Sequence, residues 1–542
     1  MKRYGEAVFG TVTDAAPVVQ TIHGAVRGEN REGVAVFRGI PYGGDVSGKN
    51  RFRPPSPAKD WEGVRDCTLN GFIAVQAGTS ISGSADFGNY FSGGHPEKFG
   101  CEREKQGENC LVLNVLTPGI DGQKRPVAVY IHGGGFDTGS GTLVLGADQW
   151  VREEDLVLVG INHRLNVFGY LNLSAYDSDY SSSGMAGILD LLLALEWVRN
   201  NIREFGGDPE KVTIMGESGG GAKVNHLLAM HAARGLFRAA IVESGSGAPA
   251  VVSPKAACGR TKMLLEELGI PEDCWKRLFE IPAEQLLRAG GRIGMGFSPS
   301  SDGLYLPYNK EGDFWEADPG RPLLVGAAAD ELAAFFDPEV LTWEELRARL
   351  LDGNKGTAFP EHLEAKGKGG KNGMPERSEK EGKFSDILQN FSRNADEVIR
   401  IFREKDPSAD PYQIFIRICS QCSFLGAGAY RQAEAKARKK EGPVYNYYFA
   451  FQAPHPRCPE KTFAWHTADL PLQMRVVTYP GCEEISRVMA HAWAAFIRTG
   501  SPNTEMLDWP PFTLEKKEVM VFDKTSRVMT DPTKEYRQFI RE

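Results

Sequence analysis

One ten-residue stretch limits the folds open to this chain more than any other: Val212-Thr213-Ile214-Met215-Gly216-Glu217-Ser218-Gly219-Gly220-Gly221. A largely β-branched apolar run stops at Gly216, and a helical pattern opens at Gly221-Ala222-Lys223. Gly216 to Gly220 satisfies G-x-S-x-G, in which a serine sits on a tight strand-to-helix turn with its hydroxyl exposed. Glycine suits the flanks because a side chain there would collide with the turn or with an incoming acyl group. The helix behind points its first N–H groups and positive dipole end at the serine, where they favour an oxyanion. A glycine-rich nucleotide loop or a plain structural turn can carry the same string. The strand before and the helix after favour Ser218 as a nucleophile, and the chain holds no second G-x-S-x-G.

Upstream, Arg125-Pro126-Val127-Ala128-Val129-Tyr130-Ile131 reads as a buried strand running into His132-Gly133-Gly134-Gly135-Phe136. An HGGG-type loop after a strand supplies the second part of an oxyanion hole, joining the N–H of the residue after the nucleophile. Three glycines leave backbone N–H groups bare enough to face a developing negative charge. One such donor lowers a barrier by roughly 3–4 kcal/mol. A phosphate loop would need G-x-G-x-x-G or a Walker lysine, and this stretch has neither. His132 is expected to orient the loop, not to transfer protons.

The rest of the chain alternates. Thr21 to Arg27, Val34 to Arg38 and Leu111 to Leu116 read as strands, as do Asp155 to Ile161, Phe237 to Glu243, Pro322 to Gly326 and Pro443 to Phe451. Met185 to Arg203 reads as an amphipathic helix, and Ile414 to Cys419 as a buried segment. Strand, helix and strand in succession imply an α/β fold with a parallel sheet and crossover helices. Gly78 to Gly107, rich in Gly and Ser with Phe87, Tyr90, Phe91 and Phe99, reads as a long surface loop. A polar flexible insertion is expected around 352–383, where a Gly353-Asn354 turn precedes a Lys/Gly patch from Lys366 to Lys371. No internal repeat appears at solenoid periods.

Length and charge exclude several classes. At 542 residues the chain is one very large α/β unit or two to four domains. A net charge of −8 argues against nucleic acid or an anionic membrane surface as partner. The first ten residues lack the apolar stretch of a signal peptide, and no run of about eighteen apolar residues suggests a membrane span. Nine cysteines, an odd and scattered set, read as reduced thiols in a cytoplasmic protein. Cys419-x-x-Cys422 has no second pair at metal spacing, so no metal or other cofactor is expected.

A nucleophilic serine needs a base, and the base needs an acid to fix its tautomer. On such sheets the chain order is Ser, then Asp or Glu, then His. Six histidines follow Ser218. His226 and His231 lie on the helix behind the turn, His362 in the polar insertion, and His491 in a core-like helix. His455, between Pro454 and Pro456, reads as an exposed turn. His466, framed by Phe463 and Trp465, is the favoured base. For the acid, Asp330 and Glu331 both follow the Pro322 to Gly326 strand, and the pattern alone does not separate them.

Taken together, the motifs resemble the type-B carboxylesterase family, the branch of α/β-hydrolases with para-nitrobenzyl esterases, carboxylesterases and cholinesterases. The resemblance begins at Phe37-Arg38-Gly39-Ile40-Pro41-Tyr42 and Glu108-Asn109-Cys110-Leu111-Val112-Leu113-Asn114. It runs on through His132 to Phe136, Asn162-His163-Arg164, Phe205-Gly206-Gly207-Asp208-Pro209, Gly216 to Gly220 and Asp330-Glu331. It ends on His466, Trp493, Phe496 and Gly500-Ser501-Pro502-Asn503.

The resemblance implies an α/β-hydrolase fold over 1–542 as a single domain, with a large, mostly parallel central sheet flanked by helices. It implies Ser218 as nucleophile, Glu331 as acid and His466 as base. Gly134, Gly135 and Gly219 match the oxyanion-hole donors, and Ser244 a serine beside the acid. Two positions depart from the family: Leu332 stands where Gly usually follows the acid, and Ala74-Val75-Gln76 replaces Cys-Pro-Gln. Cys110 is therefore expected as a free thiol unless Cys67 or Cys101 substitutes. The implied activity is hydrolysis of small carboxylic esters through an acyl-enzyme. The alternatives are a feruloyl-type or lactone esterase, or a non-catalytic binding homologue, a class that typically lacks the nucleophile.

Overall fold

The computed structural model describes residues 16–78, 104–246, 251–294, 296–306, 316–336, 338–351, 394–455, 457–476 and 479–539. The expected insertion at 352–383, most of the Gly78 to Gly107 loop, His362 and Cys101 lie outside them.

Eleven strands form the central sheet: β1 (Glu29–Arg31), β2 (Val34–Pro41), β3 (Val112–Thr117), β4 (Arg125–Ile131), β5 (Val157–Ile161), β6 (Gly207–Glu217), β7 (Ala239–Glu243), β8 (Leu323–Ala328), β9 (Val444–Phe449), β10 (Glu518–Phe522) and β11 (Arg527–Thr530). Their order across the sheet is 11-10-9-8-7-6-4-5-3-2-1. Seven of them, β5, β4 and β6 to β10, run parallel, and antiparallel strands finish both edges. The apolar runs arise because this sheet is covered on both faces. Val127, Val129 and Ile131 enter the core on one side, while Ala128 and Tyr130 enter the core on the other.

Helix α1 (Ala186–Asn201) falls within the expected Met185 to Arg203 helix. Twelve of its sixteen residues are buried, which leaves a narrow exposed stripe of Glu196, Arg199 and Asn200 on one side. It lies against β6 and is flanked by the Asn166–Tyr170 helix and α2 (Gly219–Ala229), which closes it in from several sides. By length and composition alone the helical run Ser178–Phe205 is apolar enough to cross a membrane. However, 89% of its most apolar window is buried inside the fold, as for a core helix. Asp190, wholly buried on α1, accepts from Arg164 Nε at 2.9 Å and Nη2 at 2.6 Å. This ties the loop after β5 to the helix.

Two expectations change. Thr21 to Arg27 is a hairpin corner joining Val18–Thr21 to Gly24–Arg27 in a separate three-stranded sheet. His455 is not an exposed turn. It is fully buried on the short strand Ala453–His455, and its Nε2 donates to the Ala333 carbonyl at 3.1 Å. Ile414 to Cys419 is buried as expected, but within helix α3 (Pro411–Cys422). Among the described residues no two cysteines are joined, Cys67 and Cys110 included. Burial pushes the Cys419 and Cys422 thiols well up, which keeps them neutral.

Candidate active site

β6 ends at Glu217 and α2 begins at Gly219, so Ser218 is the whole of the turn between them. Its φ of 56° and ψ of −125° are strained for a residue with a Cβ, a cost of about 1–3 kcal/mol. The turn is held from both sides: Ser218 N donates to Glu243 O at 2.8 Å, and Ala222 N donates to Ser218 O at 3.0 Å. Glycine is required at Gly220 by close approach. A Cβ there would stand 2.0 Å from the Ile131 carbonyl oxygen at the end of β4.

The loop leaving β4 lies over this turn. Gly134 and Gly135 take φ of 79° and 61°. The Gly133 carbonyl accepts from His132 Nδ1 at 3.0 Å, so buried His132 does hold the loop. The Gly134 carbonyl accepts from Asp137 N at 3.2 Å and Thr138 N at 3.1 Å. Because N–H and C=O of a trans peptide point opposite ways, these bonds turn the Gly134 and Gly135 N–H groups outward. A Cβ at Gly219 would meet the Gly135 nitrogen at 2.5 Å, which shows how closely the two backbones converge. Among the described residues no protein acceptor takes the N–H of Gly134, Gly135 or Gly219. These glycines and Ser218 keep some solvent exposure while His132, Gly133, Gly220 and Lys223 are buried.

Glu331 comes from the segment after β8, and His466 from the segment after the short antiparallel hairpin that follows β9. Glu331 follows β8 by three residues and is fully buried. Its Oε1 accepts from Ser244 Oγ at 2.6 Å and from Ala328 N at 2.7 Å. Its Oε2 lies 2.5 Å from His466 Nδ1. Neighbouring Asp330 points elsewhere: it pairs with Arg417 at 2.9 Å and accepts from Ala464 N at 3.0 Å. That contact ties the His466 loop to the Glu331 turn, and geometry thereby separates two carboxylates that sequence pattern left together. His466 is 1% exposed and packs against the Phe335 ring. With the Glu331 oxygen as acceptor, the neutral ring keeps its proton on Nδ1 and turns Nε2 toward the serine turn.

There Nε2 meets Glu217 Oε1 at 3.2 Å. The carboxylate belongs to the residue before Ser218, and in this state the Ser218 hydroxyl makes no hydrogen bond to the ring. Such contacts are often long in a free enzyme and tighten with substrate. Ser244, Glu331 and His466 are thus in direct contact, whereas Ser218 is brought alongside through Glu217.

Glu217 was missed in the sequence because it fills an unspecified position of G-x-S-x-G. Its only signal was an acidic residue inside an otherwise apolar strand end. Burial pushes its carboxyl up to about 8, with His466 opposing. Burial works against a charged His466 ring, but Glu217 and then Glu331 outweigh it and raise the ring to about 9. Groups this close titrate together. The Glu217 charge favours the protonated ring, so Glu217→Gln should let burial prevail. The acid limb of kcat/KM should then move to lower pH, by about one unit. A pH profile with an unmoved or raised limb would show that Glu217 does not set the ring's proton affinity.

A serine turn beneath a loop of outward amides, with a buried carboxylate–imidazole pair arriving from the following strands, defines a hydrolase site on an α/β-hydrolase fold. Comparison with known proteins agrees and is more specific. Residues 15–540 match the Carboxylesterase family. The chain is 32% identical to the para-nitrobenzyl esterase of Bacillus subtilis (strain 168), over 96% of this chain and 98% of that one. It is 28% identical to the phenmedipham hydrolase of Pseudarthrobacter oxydans, over 95% and 97%. Among solved structures it resembles the Geobacillus stearothermophilus carboxylesterase with a TM-score of 0.73 and 33% identity, covering 97% of this chain and all of that one. The chain belongs to the carboxylesterase family, and it is a carboxylic-ester hydrolase.

Proposed function

We propose that Ser218, His466 and Glu331 form the catalytic triad of a serine carboxylesterase, with Gly134, Gly135 and Gly219 as its oxyanion hole. The observation that carries this reading is the buried 2.5 Å contact between Glu331 and a His466 ring whose other nitrogen faces the Ser218 turn. His466 Nε2 takes the Ser218 proton as Oγ attacks the ester carbonyl. The carbonyl oxygen becomes an oxyanion held by the three N–H groups. Collapse of this intermediate breaks the bond to the alcohol oxygen, which receives the proton from His466, and leaves an acyl-Ser218 ester. Water, losing its proton to His466, then releases the acid. Glu331 holds the tautomer and stabilises the imidazolium, and Ser244 and the Ala328 amide fix Glu331 in turn.

The substrates are small carboxylic esters, in line with relatives named for para-nitrobenzyl esters and phenmedipham. The protein acts in the cytoplasm as a single-domain enzyme without a cofactor. That no disulfide joins the described cysteines supports a reducing compartment. A fluorophosphonate probe tests the assignment: it should label one residue, Ser218, as read by mass spectrometry of the labelled peptide. Labelling at any other serine, or none by an enzyme active on para-nitrophenyl butyrate, would overturn it.

A further inference from the structure

Behind the oxyanion loop lies a charge that the triad chemistry does not use. Lys223, one turn into α2, is wholly buried. Its Nζ donates to the His132 carbonyl at 3.0 Å and to the Gly135 carbonyl at 2.8 Å. These are the two ends of the loop. With Gly133 O held by His132 and Gly134 O by Asp137 and Thr138, all four carbonyls from His132 to Gly135 are engaged.

The surroundings leave Lys223 as the cation of this pocket. His132 and His163 stack with ring centroids 4.7 Å apart, and Phe136 lies under Nζ at 5.6 Å. Burial pushes His132 down to about 3 and His226 down to about 4, and lowers His163 as well, so all three rings are neutral. Asp137 is the acidic group that acts on Lys223; burial draws the lysine down to about 7, and Asp137 opposes that. Burying an ammonium is expensive, and an apolar side chain of the same length would fill the space without that cost. A lysine here therefore needs a reason beyond packing.

We propose that Lys223 is a positioning residue for the oxyanion hole. Its ammonium draws both end carbonyls of the loop toward α2, which keeps the Gly134 and Gly135 N–H groups aimed at the reacting oxygen. Its positive charge polarises the loop on the side opposite the oxyanion, so its benefit is largest when negative charge develops there. This inference rests on the reading of Gly134, Gly135 and Gly219 as the oxyanion donors.

The test uses the full-length enzyme with Lys223→Met, which removes charge and donors, and Lys223→Gln, which keeps donors without charge. Active enzyme is counted by fluorophosphonate titration, so a smaller folded fraction does not distort kcat. With para-nitrophenyl butyrate, Lys223→Met should lower kcat by roughly 10–100-fold while KM changes by less than about three-fold. A trifluoromethyl ketone, which adds Ser218 to give a charged hemiketal, should lose affinity in parallel. The matching methyl ketone, which binds without that charge, should not. Lys223→Gln should fall between wild type and Lys223→Met, and it decides the matter if the methionine variant does not fold. A kcat within about two-fold of wild type, or equal loss of both ketones, would reduce Lys223 to a structural tie and overturn the proposal. Ser218→Ala serves as the control. If it is active, the triad reading itself fails; if it is inactive while the Lys223 variants keep wild-type ketone discrimination, only the Lys223 assignment fails.

Discussion

Ser218→Ala is expected to lower kcat for para-nitrophenyl butyrate by about 10⁶-fold, the loss seen when a triad nucleophile is removed and the rest of the site is kept. What remains should be the modest acceleration that oxyanion donors and binding supply by themselves. KM and the melting temperature should stay close to wild type. Alanine carries the same Cβ as serine, so it sits in the same backbone conformation at the same strain. Ser218→Gly makes a useful partner experiment, because glycine occupies φ near 56° freely. That variant should be equally inactive but more stable, by up to about 1–3 kcal/mol, readable as a higher denaturant midpoint. Near wild-type turnover by either variant would show that the reaction proceeds through another group.

The second large effect concerns Glu331. Glu331→Gln should reduce kcat by about 10⁴-fold, as when a triad carboxylate becomes its amide. The amide oxygen can still accept from Ser244 Oγ and Ala328 N, so the side chain should keep its place. Its NH₂ would then face His466 Nδ1, where an acceptor stands now. The ring can satisfy that donor only by moving its proton to Nε2, and a protonated Nε2 cannot take the Ser218 proton. Loss of the Glu331 charge should also lower the ring's proton affinity, because Glu331 is one of the groups that raise it. Activity should therefore stay low at every pH and should not recover as pH rises. Recovery to wild-type turnover above pH about 8 would mean that Glu331 acts only as a charge and does not fix the tautomer.

Much of the fold was legible because buried parallel strands must be apolar on both faces. The runs ending at Ile131, Ile161, Glu243 and Gly326 all became strands of the sheet within a few residues. The glycine loop after β4 and the serine turn were legible because glycines are required where backbones meet. The choice of Glu331 over Asp330 was not written in local pattern. It is decided by contacts with Ser244 and Arg417, each 87 residues away in sequence. His455 misled because flanking prolines signal a turn, while the hairpin carrying it is covered by the core. Met185 to Arg203 was legible as a helix because Glu196, Arg199 and Asn200 keep one exposed stripe on an otherwise buried element. Glu217 and Lys223 could not be found at all from spacing. Each is a buried charge whose meaning depends on a group brought to it by tertiary structure.

On the proposed triad, the acid follows β8 and the base follows the hairpin after β9, so a partial chain would have no partial version of the chemistry. Its hydroxyl, carboxylate and imidazole lie 113 and 135 residues apart along the chain, and parallel pairing of such strands forms late and slowly during folding. A ribosome-bound chain that has not yet presented His466 is then expected to be inert toward esters. Hydrolysis of a chromogenic ester would then report pairing of the strands that bring these groups together, which makes turnover itself a clock for refolding.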